Sequence, residues 1–221
     1  AIKANLATKF HGAYDDALME FGMGMAKTMS SEANALWRKQ QDLPDAEVRR
    51  MDSLEGRNYA AAGRPGHMDA KARLEDLDAD GIEKSVMYCE VSAFRYLYLL
   101  KEGNREATRA FNTTMHQFAE VDRERMIVSY QIPIHDIDAA VAEVKWVAET
   151  GGKSLQLPVY PAELGLPDYW DKRYDPLWEV ITETGLPICL HIGLNTQLES
   201  LAQRDPTPQK GIFVGAVALT T

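Results

Sequence analysis

Several signatures that would assign a function outright are missing from these 221 residues. Neither GxGxxG nor GxxxxGK[ST] occurs, so the glycine-rich turns that cradle a dinucleotide or nucleotide phosphate are absent. HxH, HExxH, CxxC and GxSxG spacings are missing too, which removes the short-range signals for a zinc hydrolase, a redox pair and a serine nucleophile. Cysteine is scarce: Cys89 and Cys189 lie in separate apolar runs far apart, and they read as reduced core thiols rather than a disulfide. No apolar stretch approaches the ~20 residues that span a bilayer, and no charged-then-apolar leader opens the chain. Membrane anchoring and secretion are therefore not expected, and the expected location is cytoplasmic. Positive charge is also short, since 24 Lys+Arg against 33 Asp+Glu leave a formal net charge of −9. With no basic run longer than a pair such as Arg49-Arg50, neither a phosphate-tracking surface nor a nucleic-acid partner is expected.

What is present is an ordinary globular composition, 45% apolar and 26% charged. From about residue 67 the chain alternates strand and helix patterns. Asp69 is placed to cap a helix carrying Leu74 and Leu77 that stops at Gly81, and a strand, Ser85 to Glu90, follows. Ala107, Ala110, Phe111, Met115 and Phe118 make one helical stripe before a second strand, Met126 to Pro133. Asp136 or Asp138 caps the next helix, which ends at Gly151-Gly152 ahead of a third strand, Lys153 to Val159. Asp175-Pro176 reads as an N-cap followed by proline in the first turn, and Gly185 and Pro187 close that helix before the strand Pro187 to Ile192. Strands joined through helices pair in parallel by right-handed crossovers, because such a connection cannot make a hairpin. A closed barrel and an open doubly wound sheet both satisfy this pattern, and the lack of a phosphate loop favours the barrel.

Residues 1–66 read differently, as a helical cover with helices near Ser30 to Trp37 and Pro44 to Leu54, joined by the glycine- and proline-containing loop 57–66 to a barrel portion at 67–221. Met19, Met23, Met25 and Met29 read as core ahead of a ligand-facing wall. The chain ends carry neither a polar linker nor a helix stop, so the chain is expected to be part of a longer polypeptide or to be completed by another chain.

In parallel sheets the loops at the carboxyl ends of the strands converge, and the functional face lies there. Those ends nominate Glu90, Gln156 with Tyr160 beyond it, and His191 with Asn195 beyond it. Alternation places Cys189 and His191 on one strand face and Ile188 and Leu190 on the other; Ser154 and Gln156 likewise oppose Leu155 and Leu157. A neutral imidazole at a strand end suits a metal or a proton shuttle at physiological pH, and a hydrogen bond to a neighbouring loop is the competing role for His191. Glu90 is an acid, base or ligand, against a solvated or ion-paired carboxylate. His135, beside Asp136 at a helix start, reads as local capping structure, and His11, His67 and His116 as surface or core residues.

The run Ala72 to Ile82, the Asn112-containing helix followed by Asp122-Arg123-Glu124-Arg125-Met126, the segment Gly152 to Leu157, and Asp175-Pro176-Leu177-Trp178 leading to Gly185 through Gly193 together resemble the amidohydrolase-related family. That family includes aminocarboxymuconate-semialdehyde decarboxylase and resorcylate decarboxylase. The resemblance implies a (β/α)8 TIM barrel with a divalent metal, zinc first and manganese second, at the strand ends. It makes residues 67–221 a partial barrel holding strands two to five and residues 1–66 a helical insertion. His191 matches the family's metal-ligand histidine after the fifth strand, while Gln156, Tyr160, Asn195 and Glu90 become substrate-contacting candidates. The family's histidines on strand one, its histidine after strand six and its aspartate on strand eight have no counterpart here. A zinc site needs three or four protein ligands, so a single histidine leaves the site incomplete. The expectation is a metal-dependent hydrolase or non-oxidative decarboxylase of a small carboxylated or cyclic substrate, with a homo-oligomer allowed. The competing expectation is a barrel segment without its ligands, serving as a binding or assembly module.

Overall fold

The computed structural model describes residues 1–29, 65–88, 97–158 and 161–191, leaving aside the side chains of 21–29, 162–163 and 191. The chain opens with two 3₁₀ turns, Ile2–Asn5 and Thr8–Phe10, and helix α1 (His11–Met29). After a third 3₁₀ turn, Pro65–His67, the strand–helix series runs α2 (Ala70–Ala79), β1 (Ser85–Met87), α3 (Asn104–Ala119), β2 (Met126–Gln131), α4 (Ile137–Glu149), β3 (Ser154–Pro158), α5 (Asp175–Thr184) and β4 (Ile188–His191). The four strands form one sheet in chain order, every neighbouring pair parallel. The helical segments expected near 30–37 and 44–54 lie outside the described residues.

Local chemistry accounts for the helix boundaries. Asp69 accepts from the Ala72 backbone N–H at 2.9 Å, and Asp136, rather than Asp138, accepts from Ala139 at 3.0 Å, each satisfying a first-turn donor that has no helical partner. Asp175 is itself the first helical residue of α5, with Tyr174 at the cap position and proline in the first turn. The capping role expected of Asp175 passes to Asp171, which accepts from Arg173 and closes the 3₁₀ turn just before α5. Helix α5 ends where Gly185 takes φ 66°, a left-handed conformation that costs glycine nothing.

Packing divides the sheet into two unlike faces. Met126, Val128, Tyr130, Leu155 and Leu157 join Val144 and Val147 of α4 and Leu177, Val180 and Ile181 of α5 in the main core. A second cluster seats Leu6, Tyr14 and Ala17 against Ala107, Ala110 and Phe111 of α3. The N-terminal segment is pinned there by Asn5, whose Nδ2 donates to Thr114 Oγ1 at 2.9 Å and Gln117 Oε1 at 3.0 Å. Met19 does not join a core: it is exposed.

Candidate functional site

Parallel register lines up the residues that turn away from the helices. Val86 pairs with Ile127, Ser129 with Ser154, Gln131 with Gln156, Gln156 with Cys189, and Pro158 with His191. Because side chains alternate, Tyr88, Ser129, Gln131, Ser154, Gln156 and Cys189 share one face, opposite the leucines and valines of the core. That face is the inside of a curve. In a flat sheet β1 and β4 would stand about 14 Å apart at ~4.8 Å per strand, beyond the reach of one side chain. Yet the Tyr88 hydroxyl, just past β1, hydrogen-bonds the Cys189 thiol of β4, and that bond, ahead of burial, pushes the Tyr88 pKa up. The sheet is therefore curled into part of a barrel, with its polar face concave.

Within this face two glutamines lie side by side. Gln131 Nε2 donates to Gln156 Oε1 at 2.8 Å, and both residues are buried. The backbone under Gln131 is also held. Ile132 N–H donates to the Gln156 carbonyl of β3 at 3.2 Å, so the peptide groups of Gln131 point the other way, toward the β1 side, beyond the last residue of that strand. Asn112 of α3 meets them there: its Nδ2 donates to the Gln131 carbonyl at 2.8 Å and its Oδ1 accepts the Gln131 N–H at 2.9 Å. The same Nδ2 donates to Glu143 at 2.7 Å, and Glu143 also accepts from Arg109, whose guanidinium lies over Trp146 at 4.6 Å. A side-chain amide thus pairs both peptide groups of Gln131, as the near-complete pairing of buried peptide groups requires.

The residues nominated from sequence fare unequally. Gln156 is fully buried on the concave face. His191 is the last residue of β4, in register with Pro158, which puts its backbone at the carboxyl rim of the sheet. Glu90, Tyr160 and Asn195 lie outside the described residues, as does Cys89. Cys189 is free and half-buried on the concave face, whereas a core position was expected. His135 does not cap α4. It follows β2 on the rim, stands edge-on to Tyr98 with ring centroids 5.2 Å apart, and its Nδ1 has no hydrogen-bond partner among the described residues. Burial lowers its pKa, nearby Arg105 and Arg173 act the same way, and Asp136 opposes them. His116 sits outside the curve, bonded to the Tyr130 hydroxyl at 2.8 Å, and His11 bonds the Lys3 and Leu6 carbonyls. Gln131 and Asn112 were not nominated. A signal for Gln131 existed: Ser129-Tyr130-Gln131-Ile132-Pro133 repeats the Ser-x-Gln-x-Pro pattern of Ser154-Leu155-Gln156-Leu157-Pro158.

A metal finds no complete site here. Among the described residues, no three His, Cys, Asp or Glu side chains gather closely enough to hold an ion. One strand-end histidine supplies a single ligand where zinc takes three or four from protein. The described donor set therefore does not fit a metal on its own. Among the described residues no helix is long and apolar enough to cross a membrane.

Comparison with solved structures shares the resemblance seen in sequence. An amidohydrolase from Mycobacterium avium subsp. paratuberculosis K-10 superposes with a TM-score of 0.57 at 25% identity, covering 72% of this chain and 43% of that one. The 2,6-dihydroxybenzoate decarboxylase from Rhizobium matches at 22% identity and TM-score 0.46, over 54% of this chain and 38% of that one. A 2,6-dihydroxybenzoate decarboxylase complexed with 2,6-dihydroxybenzoate gives 23% and 0.47, over 65% and 42%. No family profile matches the sequence, and no curated protein does. The chain spans less than half the length of each of these structures.

Proposed function

We propose, from the likeness to an amidohydrolase and from the polar lining of the curved sheet, that this chain is the segment holding strands two to five of a (β/α)8 barrel enzyme, with residues 1–66 as its helical cover. The enzyme is a metal-dependent hydrolase or non-oxidative decarboxylase of a small carboxylated or cyclic molecule. The observation that carries this reading is the Gln131–Gln156 pair on the concave face, with every strand pointing its carboxyl end to one rim, where His191 ends β4 in register with Pro158. Parallel barrels place their chemistry there, where loops from several strands converge. Gln156, Tyr160, Asn195 and Glu90 are the substrate-contacting residues of this reading, and His191 is one ligand of a divalent metal, zinc or manganese, whose other ligands are not among the described residues. In a decarboxylation the ring carbon–carboxylate bond breaks, carbon dioxide leaves, and a proton adds to the carbon that keeps the electron pair; the buried amides suit the task of gripping the substrate's oxygens. The half-buried free thiol of Cys189 suits a reducing, cytoplasmic setting.

Metal analysis of the full-length protein, paired with turnover of 2,6-dihydroxybenzoate and of a panel of cyclic amides and esters, tests this reading. About one zinc or manganese per chain is expected, lost together with turnover in His191→Ala while the unfolding transition persists. A folded protein that binds no divalent metal, and whose properties His191→Ala leaves unchanged, would favour the binding-module reading and end this one.

A further inference from the structure

We infer that Gln131 is a positioning residue for substrate recognition: by donating to Gln156 Oε1 it fixes the Gln156 amide so that its NH2 donors, not its carbonyl, are offered to a ligand on the concave face and select one carrying an anionic acceptor oxygen. This deepens the enzyme reading and rests on it.

A primary amide is two-sided, accepting at one end and donating twice at the other. With Gln156 Oε1 occupied by Gln131 Nε2 at 2.8 Å, the NH2 end of Gln156 turns away from β2. On that side runs β4, where Cys189 is the register partner of Gln156 and His191 closes the strand at the rim. A glutamine free to rotate would present donor or acceptor according to the ligand, and would discriminate little between an anion and a neutral hydroxyl. One locked by a buried neighbour discriminates, because turning it sets its NH2 donors against the Gln131 NH2 donors in a buried site, with neither pair accepted. Gln131 is suited to be the lock because its own position is over-determined. Asn112 clamps both of its peptide groups, Asn112 is in turn held by Glu143, and Arg109 holds Glu143. The chain of contacts runs from a cation stacked on Trp146 outside the curve to an amide inside it. The duplicated Ser-x-Gln-x-Pro pattern puts the two glutamines at matched register, the placement a side-by-side amide pair needs.

The ligand class follows. Donors held on the concave face favour a carboxylate or phenolate oxygen, since hydrogen bonds to an ionised acceptor are the stronger kind, and they penalise a ligand presenting a donor there.

The test compares two probes in the full-length protein, 2,6-dihydroxybenzoate and its neutral decarboxylated counterpart resorcinol, with dissociation constants from isothermal titration calorimetry and unfolding followed in parallel. Gln131→Glu places an acceptor against Gln156 Oε1 and drives the amide to turn. The carboxylate probe should then weaken at least tenfold, while resorcinol changes less than twofold. Gln131→Met, near in volume and unable to hold either orientation, should lose part of the discrimination and keeps the test alive if the buried glutamate prevents folding. Gln156→Glu should abolish the preference for the carboxylate. Equal loss of both probes, or an unchanged ratio in folded Gln131 variants of a wild type that binds the carboxylate, overturns this inference and leaves the enzyme reading standing. A wild type that binds neither probe overturns this inference, whereas the enzyme reading stands or falls on metal content and turnover.

Discussion

At the scale of single residues, the positions with unusual surroundings lie around the rim and in the clamp beneath it. Glu143 and Asn112 are buried polar groups that fully engage each other, Arg109 and a strand backbone, so they define the geometry of the sheet at Gln131 rather than loosen it. His135 differs, being half-buried with one ring nitrogen unpartnered among the described residues. Its lowered pKa, caused first by burial and then by Arg105 and Arg173, has a consequence for stability. Above pH ~6.5 the imidazole is neutral in folded and unfolded chains alike and its titration costs nothing. As pH falls below that value the unfolded chain takes up the proton first, so stability declines down to the folded-state pKa and stays lowered beneath it. Urea unfolding at pH 7.5 and 5.5 should therefore show wild type losing more stability than His135→Gln, by about half a kcal/mol because water screens part of a half-buried ring. A glutamine variant that loses as much as wild type would show that the ring is not held neutral by its surroundings.

At the scale of elements, the periodic signals in the sequence were strong enough to place the four strands and the helices between them. The capping aspartates Asp69 and Asp136 act where the pattern put them, because an N-cap is a local matter of one side chain and the turn after it. The first strand shows where that kind of reading stops. Ser85 to Glu90 reads as one strand; β1 spans Ser85–Met87, Cys89 and Glu90 lie outside the described residues, and the Gln131 peptide groups of β2 are taken by Asn112. No window of sequence shows that α3 will deliver an amide to that place. The strand expected over Pro187 to Ile192 is observed as β4 over Ile188–His191, while the Gln131–Gln156 contact required register, which couples segments 25 residues apart. Close approach between elements is likewise invisible locally. Gly152, between α4 and β3, has no special backbone angle, yet a Cβ there would fall onto Val147 Cγ1, 2.8 Å from Tyr130 Cε2 and 3.0 Å from the Val147 carbonyl. Gly165 has φ 70° and open space around it. Gly152→Ala should therefore cost about 2–3 kcal/mol through displaced backbone and core, and Gly165→Ala only about 1 kcal/mol of left-handed strain. Chemical denaturation of the two variants decides it, and equal costs would mean that α4 shifts freely against β3.

At the scale of the whole molecule, the two faces of the sheet are covered unequally from one strand to the next. Leu155 and Leu157 of β3 are 0% and 1% exposed, while their register partners on β4, Ile188 and Leu190, on the same face, are 41% and 48% exposed. Helices α4 and α5 pack over β3; no described helix covers β4. Val86 of β1, at the opposite end of the sheet, is 45% exposed. Edge strands with open peptide groups and apolar side chains invite another strand, and a curled parallel sheet satisfies that demand by continuing around the barrel. The amidohydrolase it resembles has more than twice the matched length, which is room for the remaining staves. Residues 1–221 prepared alone should therefore self-associate at micromolar concentration, giving a mass by light scattering of a dimer or larger. Placing a charge on the β4 face with Leu190→Lys should raise the monomer share severalfold, as charged residues do on natural sheet edges. A wild-type 221-residue chain that is monomeric and unfolds in one cooperative transition would show that the β4 face needs no further strand or helix, and the partial-barrel reading would have to give way to a self-sufficient four-stranded domain.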